Sequence, residues 1–219
     1  MKKYADLKMK YVSTTARSTD LYGYFEVTDK DYAISLNGVK IEKVDLEKLP
    51  VNIKTTLYKG AYVVGKDIEP GVYKINKGND DFTHVIRADK SFLNMDRNSY
   101  LGNTYTNNSY IQVLDTDKFV IVNSGILEKI DLEKLPINIK TTITDDGTYI
   151  VGKDIEPGTY KLTANKRYAK VTLLNSLDCS IESEIETVYL DIGMTEYIEV
   201  KDDTYAVQIH NNVKMEKMS

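Results

Sequence analysis

The chain repeats itself, and a repeat restricts what 219 residues can fold into more than any bulk property does. Residues 42–56 read EKVDLEKLPVNIKTT and residues 128–142 read EKIDLEKLPINIKTT, differing at two of fifteen positions, both Val against Ile. A second block follows each. Residues 60–75 read GAYVVGKDIEPGVYKI and residues 147–162 read GTYIVGKDIEPGTYKL, with twelve of sixteen positions identical. A third element recurs three times, as YFEVTDKDYAISL at 24–36, YIQVLDTDKFVIV at 110–122 and YIEVKDDTYAVQI at 197–209. Tyr73 precedes Tyr110 by thirty-seven residues, as Tyr160 precedes Tyr197, although the stretches between have drifted apart. Equal spacing with drifted sequence implies one strand layout used twice.

Each element reads as β. Tyr, Val, Ile and Thr dominate the flanks of Pro70-Gly71 and Pro157-Gly158, as pleated, half-buried surfaces favour. Pro-Gly fits the centre of a type II turn, with Gly71 and Gly158 at φ > 0. Tyr-Ile-x-Val, an Asp-rich pair and four further strand-like residues read as a hairpin. Helix signals reduce to single turns at 45–49 and 131–135, each ended by proline (Pro50, Pro136). The expected fold is all-β: tandem small antiparallel β-sandwich, jelly-roll-like modules joined by short repeated segments. The expected organisation is a partial N-terminal module (1–43), full modules at 57–129 and 143–219, and connecting segments at 44–56 and 130–142.

Two finer expectations follow. The middle copy of the hairpin is apolar on both faces, at Phe119, Val120, Ile121 and Val122, so it should either pack against a neighbouring module while the outer copies face water, or thicken the core of its own module. The connecting segments have diverged less than the strands they join, the reverse of passive linkers. Recent gene conversion would account for this without function; otherwise packing or a partner constrains them. Leu46, Leu49 and Ile53, with Leu132, Leu135 and Ile139, have the spacing to be buried and to fix the angle between modules. The result would be a semi-rigid rod that repeats a surface at fixed intervals.

The pattern G-x-Y-x-V-G-x-D-I-x-P-G-x-Y at 60–73 and 147–160 resembles a small module of uncharacterised proteins from Gram-positive bacteria and their phages. Such proteins are often secreted, lipid-anchored or membrane-tethered, and the module is frequently in tandem. The resemblance implies a cell-surface setting and no particular chemistry. The first residues, by contrast, lack the apolar core of a signal peptide, which favours the cytoplasm. Asp67 and Asp154, inside the motif, join the two glycines and four leucines as candidate structural or interaction residues.

Catalytic chemistry finds little purchase. The two histidines, His84 and His210, align with Lys170 and with Asn123, so no histidine site is duplicated. Cys179 is the one cysteine; it excludes an intramolecular disulfide and multi-cysteine metal sites, and reads as an inert thiol. Acidic pairs (Asp29/Asp31, Asp80/Asp81, Asp115/Asp117, Asp202/Asp203) supply too few oxygens for calcium and suit turns instead. No catalytic, metal or cofactor residues are therefore expected. A net charge of −4 with scattered Lys and Arg argues against nucleic acid as partner, and no apolar run is long enough for a membrane span.

The expected function is thus a non-enzymatic binding, adhesion or interaction protein, with a protein partner. Carbohydrate is the alternative: seventeen tyrosines and no tryptophan provide amphipathic rings, with Tyr100 and Tyr105 in an Asn-rich stretch as candidates. A glycan-acting hydrolase ranks third, since it needs two carboxylates converging across a cleft.

Overall fold

The computed structural model describes residues 42–76, 83–88, 100–105, 108–178 and 180–218. The proposed partial module at 1–43 lies almost wholly outside them, as do Asp29, Asp31, Asp80, Asp81 and Cys179. Of His84, Tyr100 and Tyr105 only the backbone is described.

Among the described residues sixteen strands form, and the second eight reproduce the first eight. They are β1 (Thr56–Leu57), β2 (Gly60–Val63), β3 (Gly71–Asn76), β4 (Thr83–Ala88), β5 (Tyr100–Tyr105), β6 (Ser109–Val113), β7 (Phe119–Val122) and β8 (Ile126–Ile130). Their counterparts are β9 (Thr142–Ile143), β10 (Gly147–Ile150), β11 (Gly158–Ala164), β12 (Ala169–Leu174), β13 (Glu184–Leu190), β14 (Thr195–Val200), β15 (Ala206–His210) and β16 (Val213–Lys217). The first unit holds two four-stranded antiparallel sheets, β1-β8-β3-β6 and β2-β7-β4-β5. The second holds β9-β16-β11-β14 and β10-β15-β12-β13, the same order strand for strand.

In each unit the two sheets share one core. Leu57, Ile75, Ile111 and Leu127 from one sheet meet Tyr62, Val85, Val120 and Val122 from the other. In the second unit Leu162, Ile198 and Met215 meet Tyr149, Val171, Leu173 and Ile209. Alternate residues of each strand supply these contacts, as period-two patterning requires.

The expected hairpin does not form. β6 pairs with β3, whereas β7 pairs with β2 and β4, so the Asp-rich pair carries the chain from one sheet to the other. The same holds for β14 and β15. Asp117 makes this crossing tight: its Oδ2 accepts from Leu114 N at 2.7 Å, and its own N–H donates to Leu114 O at 3.1 Å. In the second unit the Thr204 hydroxyl takes the same place, accepting from Lys201 N at 3.1 Å.

Gly71 and Gly158 have positive φ, +140° and +146°. That is far from the roughly +80° of a type II turn. Each glycine opens a strand after a crossing between sheets and is not the corner of a hairpin. A Cβ on Gly158 would lie 2.9 Å from Lys217 Cε, and one on Gly71 3.1 Å from Lys129 Cε. Backbone and neighbour both favour glycine there.

Candidate interaction surfaces

The two conserved blocks prove to be the two sides of one contact. The connecting segment runs alongside the turn of the module that follows it. Asn52 N donates to Lys66 O and Lys54 N to Asp67 O, each at 2.7 Å; Asn138 N to Lys153 O and Lys140 N to Asp154 O repeat this at 2.7 Å. Asp67 Oδ2 accepts from Val63 N, and Asp154 Oδ2 from Ile150 N, both at 2.8 Å, which holds each turn in shape. Lys54 and Lys140 sit above the rings of Tyr62 and Tyr149, at 5.3 and 5.4 Å from the centroids. Lys66 Nζ donates to Glu47 O, and Lys153 Nζ to Glu133 O and Leu135 O, all at 3.2 Å, so a cation closes each single turn of 3₁₀ helix at its carboxyl end. The side chains that take part, Lys54, Lys66 and Asp67 with Lys140, Lys153 and Asp154, are the same in both copies and make the same contacts.

The leucines expected to be buried are half-buried. Leu46 and Leu49, like Leu132 and Leu135, belong to 3₁₀ turns (Leu46–Lys48 and Leu132–Lys134) that contain no fully buried residue. So short a turn lies on the surface and inserts one side only. Leu132 and Leu135 insert theirs into the joint between the two units.

That joint is a separate apolar cluster. Tyr110 of β6 packs with Ile150, Leu174, Leu177 and Ala206 of the second unit, and Val72, Ile130, Leu132 and Leu135 flank them. Ala206 and Gln208 are buried. The third copy of the repeated element therefore does not turn its second face to water as expected, because the first unit covers it. In the middle copy Val120 and Val122 enter the core of the first unit, and Phe119 and Ile121 are buried as well.

Hydrogen bonds cross the joint. Gln112 N donates to Leu177 O at 2.8 Å and Thr148 N to Asn108 O at 3.1 Å. Arg87 anchors it. This side chain is 2% exposed, its Nε 2.7 Å from Asp117 Oδ2, and its Nη1 donates to Gln112 O at 2.7 Å and to Asp178 O of the second unit. Burial opposes ionisation of Asp178. Hydrogen bonds from Ser180 and Ser176, with the Arg87 charge, nevertheless hold its carboxyl below the usual range. Sequence reasoning missed Arg87, although a signal existed. Its register partner is Val120, as Leu173 partners Val207 in the second unit, so a cation occupies a core leucine's position.

The remaining candidates do not converge. Tyr100 and Tyr105 lie at the two ends of β5, opposite Ala88 and Thr83. Asp115, Asp202 and Asp203 are exposed, while Asp117 is tied to Arg87. Four tyrosines serve the fold: Tyr62, Tyr73, Tyr149 and Tyr160 donate to the carbonyls of Tyr58, Glu69, Asp145 and Glu156 at 2.7–2.8 Å. Burial pushes the Tyr73 hydroxyl up to about 12 and raises Tyr149 as well. Among the described residues no group of three His, Cys, Asp or Glu side chains could hold a metal ion, and no helix is long and apolar enough to cross a membrane.

Two surface features stand out in the second unit. Tyr197, the counterpart of Tyr110, is 57% exposed, and Met218 beyond β16 is 45% exposed. A shallow depression of about 620 Å³ lies at the other side, between Tyr168, Tyr189 and His210. A second, of about 540 Å³, lies where Leu132 and Glu133 meet Pro157 and Tyr205.

No family model matches this chain, and no curated protein matches it significantly.

Proposed function

We propose that this is a non-enzymatic binding protein in which tandem jelly-roll-like β-sandwich modules present a face to a protein partner. The strand orders 1-8-3-6 and 2-7-4-5 in each unit support the jelly-roll reading of an eight-stranded double sheet. In this reading the modules span 57–129 and 143–219, with 44–56 and 130–142 as connections and 1–43 as a partial third copy; β1, β8 and β9 each run one residue beyond those bounds. The resemblance of the G-x-Y-x-V-G-x-D-I-x-P-G-x-Y motif to modules of Gram-positive bacteria and their phages makes a cell or virion surface the setting.

One observation carries the protein partner. Tyr110 and its neighbours form the side of the first unit that docks a protein sheet, and Tyr110 is 8% exposed there. Tyr197 holds the same place in the Tyr-Ile-x-Val strand of the second unit and stands open, with Met218 at the register of Ile130. A face that binds protein on the first unit is exposed on the second.

A photoreactive amino acid placed at position 197, and separately at 110, tests this in the source cells. Position 197 should yield an adduct to one other protein, abolished by Met218→Lys, while position 110 yields only cross-links within the chain. Equal and diffuse labelling from both positions would reject the reading.

A further inference from the structure

The depression in the second unit lies at the far end of the sheet face whose near end docks the first unit. Its floor is one row of side chains across three strands: Tyr189 of β13 faces Lys170 of β12, which faces His210 of β15. Val188, Val171 and Ile209, one residue along, point the other way into the core. The rim carries Tyr168, Asp191 and Asn211.

Three properties set this place apart from ordinary surface. Tyr168 and Tyr189 are 82% and 71% exposed, so two large rings are held in water beside a concavity. Tyr168 also has φ +57°, a left-handed conformation that is rare for a bulky side chain. The strain is maintained by a built support: Asn211 Nδ2 donates to Tyr168 O at 2.8 Å, and Asp146 accepts from Asn211 N at 3.1 Å and Asn212 N at 2.7 Å. Strained backbone that its surroundings hold in place is a mark of functional positions. Finally, the row belongs to this unit alone. The corresponding positions of the first unit hold Thr104 opposite His84, with Asn123 one residue beyond the Val85–Val122 pair, and no tyrosine.

We infer that this depression binds a neutral saccharide. Exposed tyrosine rings offer an apolar face to the C–H side of a sugar and a hydroxyl at the edge. Lys170, Asp191 and Asn211 supply both donors and acceptors for ring hydroxyls. Their formal charges cancel, and burial together with the Lys170 charge keeps His210 below its ordinary value and so neutral near pH 7, Asp146 opposing weakly. A net charge near zero disfavours acidic sugars and cations alike. The volume lies within the roughly 300–1,000 Å³ of small-ligand sites. Among the described residues the ligand meets one such site, separate from the protein-docking face around Tyr197.

The test is NMR titration of the whole chain with neutral tetrasaccharides (N-acetylglucosamine, glucose and galactose oligomers) and with tetragalacturonate as the acidic control. At least one neutral oligomer should saturate a single site, shifting Tyr168, Lys170, Tyr189 and His210. Tyr168→Ala and Tyr189→Ala should each weaken it by about tenfold or more at unchanged melting temperature, while Tyr197→Ala leaves it intact. Absence of shifts with every neutral oligomer at millimolar concentration would overturn the assignment. So would tighter binding of tetragalacturonate, or unaltered affinity in both tyrosine variants.

Discussion

Tyr110 and Tyr197 hold the same place in the same strand of the same fold and meet opposite fates. The first is sealed by Ile150, Leu174, Leu177 and Ala206; the second stands in water. The strands around them pair in the same order, and each unit's connecting segment grips the turn that follows with the same 2.7 Å hydrogen bonds. What differs is each unit's neighbour. The first unit is built to be covered: Val72 and Ile130 flank its joint where the second has Thr159 and Met218. It also replaces a core leucine with Arg87 so that its own core reaches the Asp178 carbonyl. Repetition preserves the fold and the connection, while each unit's faces are shaped by what lies against them.

Breaking the Arg87 anchor should give the largest effect. Arg87→Ala leaves Asp117 as an uncompensated buried charge and should cost about 3–5 kcal/mol in denaturant unfolding. The double variant Arg87→Leu/Asp117→Thr, which gives the first unit the residues of the second, should recover most of that loss. It should not restore the bond to Asp178, so the joint would stay loosened in amide hydrogen exchange at Leu177 and Gln112. A double variant as unstable as Arg87→Ala would show that the pair does more than hold two units together.

The tyrosines themselves come next. Tyr110→Ala should destabilise by about 2–4 kcal/mol through the cavity left in the joint. Tyr197→Ala should stay within about 0.5 kcal/mol, as exposed positions do. Equal costs would erase the comparison. The glycines should behave alike in both units, since they serve the fold and not the joint: Gly71→Val and Gly158→Val should each cost about 1–3 kcal/mol.

The smallest effect concerns pH and His210 of the second unit. The pKa of His210 is depressed by burial and by Lys170, so the unfolded chain takes up its proton near pH 6.5 while the folded unit resists. Stability is complete above about pH 6.5 and falls as the pH drops from there toward the folded value. His210→Asn, the residue at the same register in the first unit, should flatten that slope in thermal scans between pH 5 and 7.

The repeat made the fold class and the strand positions legible, because alternation and Pro-Gly punctuation are local. Sheet membership was not legible. Tyr-Ile-x-Val and Phe-Val-Ile-Val read as a hairpin, yet the partner of each strand comes from elsewhere in the chain, β3 for β6 and β2 with β4 for β7. Nor does Tyr197 look different from Tyr110 in sequence, since exposure depends on what packs against the unit, not on the strand itself. The leucines were read as pillars of the joint, and they are half-buried wedges at its edge. The larger share comes from Leu174 and Leu177, in a stretch whose copies have drifted too far to align, and from Ala206, which stands where the first unit has Phe119. The aromatic depression was likewise hidden, because its row assembles from three strands and a turn.

The claim on which the rest depends is that the joint fixes one unit against the other, so that faces recur at a set spacing. Pulsed electron spin resonance between labels at the exposed positions Lys59 and Lys166, one in each unit, reads this directly. A single narrow distance distribution is predicted for the native chain, broadening in Arg87→Leu/Leu177→Ser. A distribution already broad in the native chain, and unchanged by those substitutions, would contradict the account.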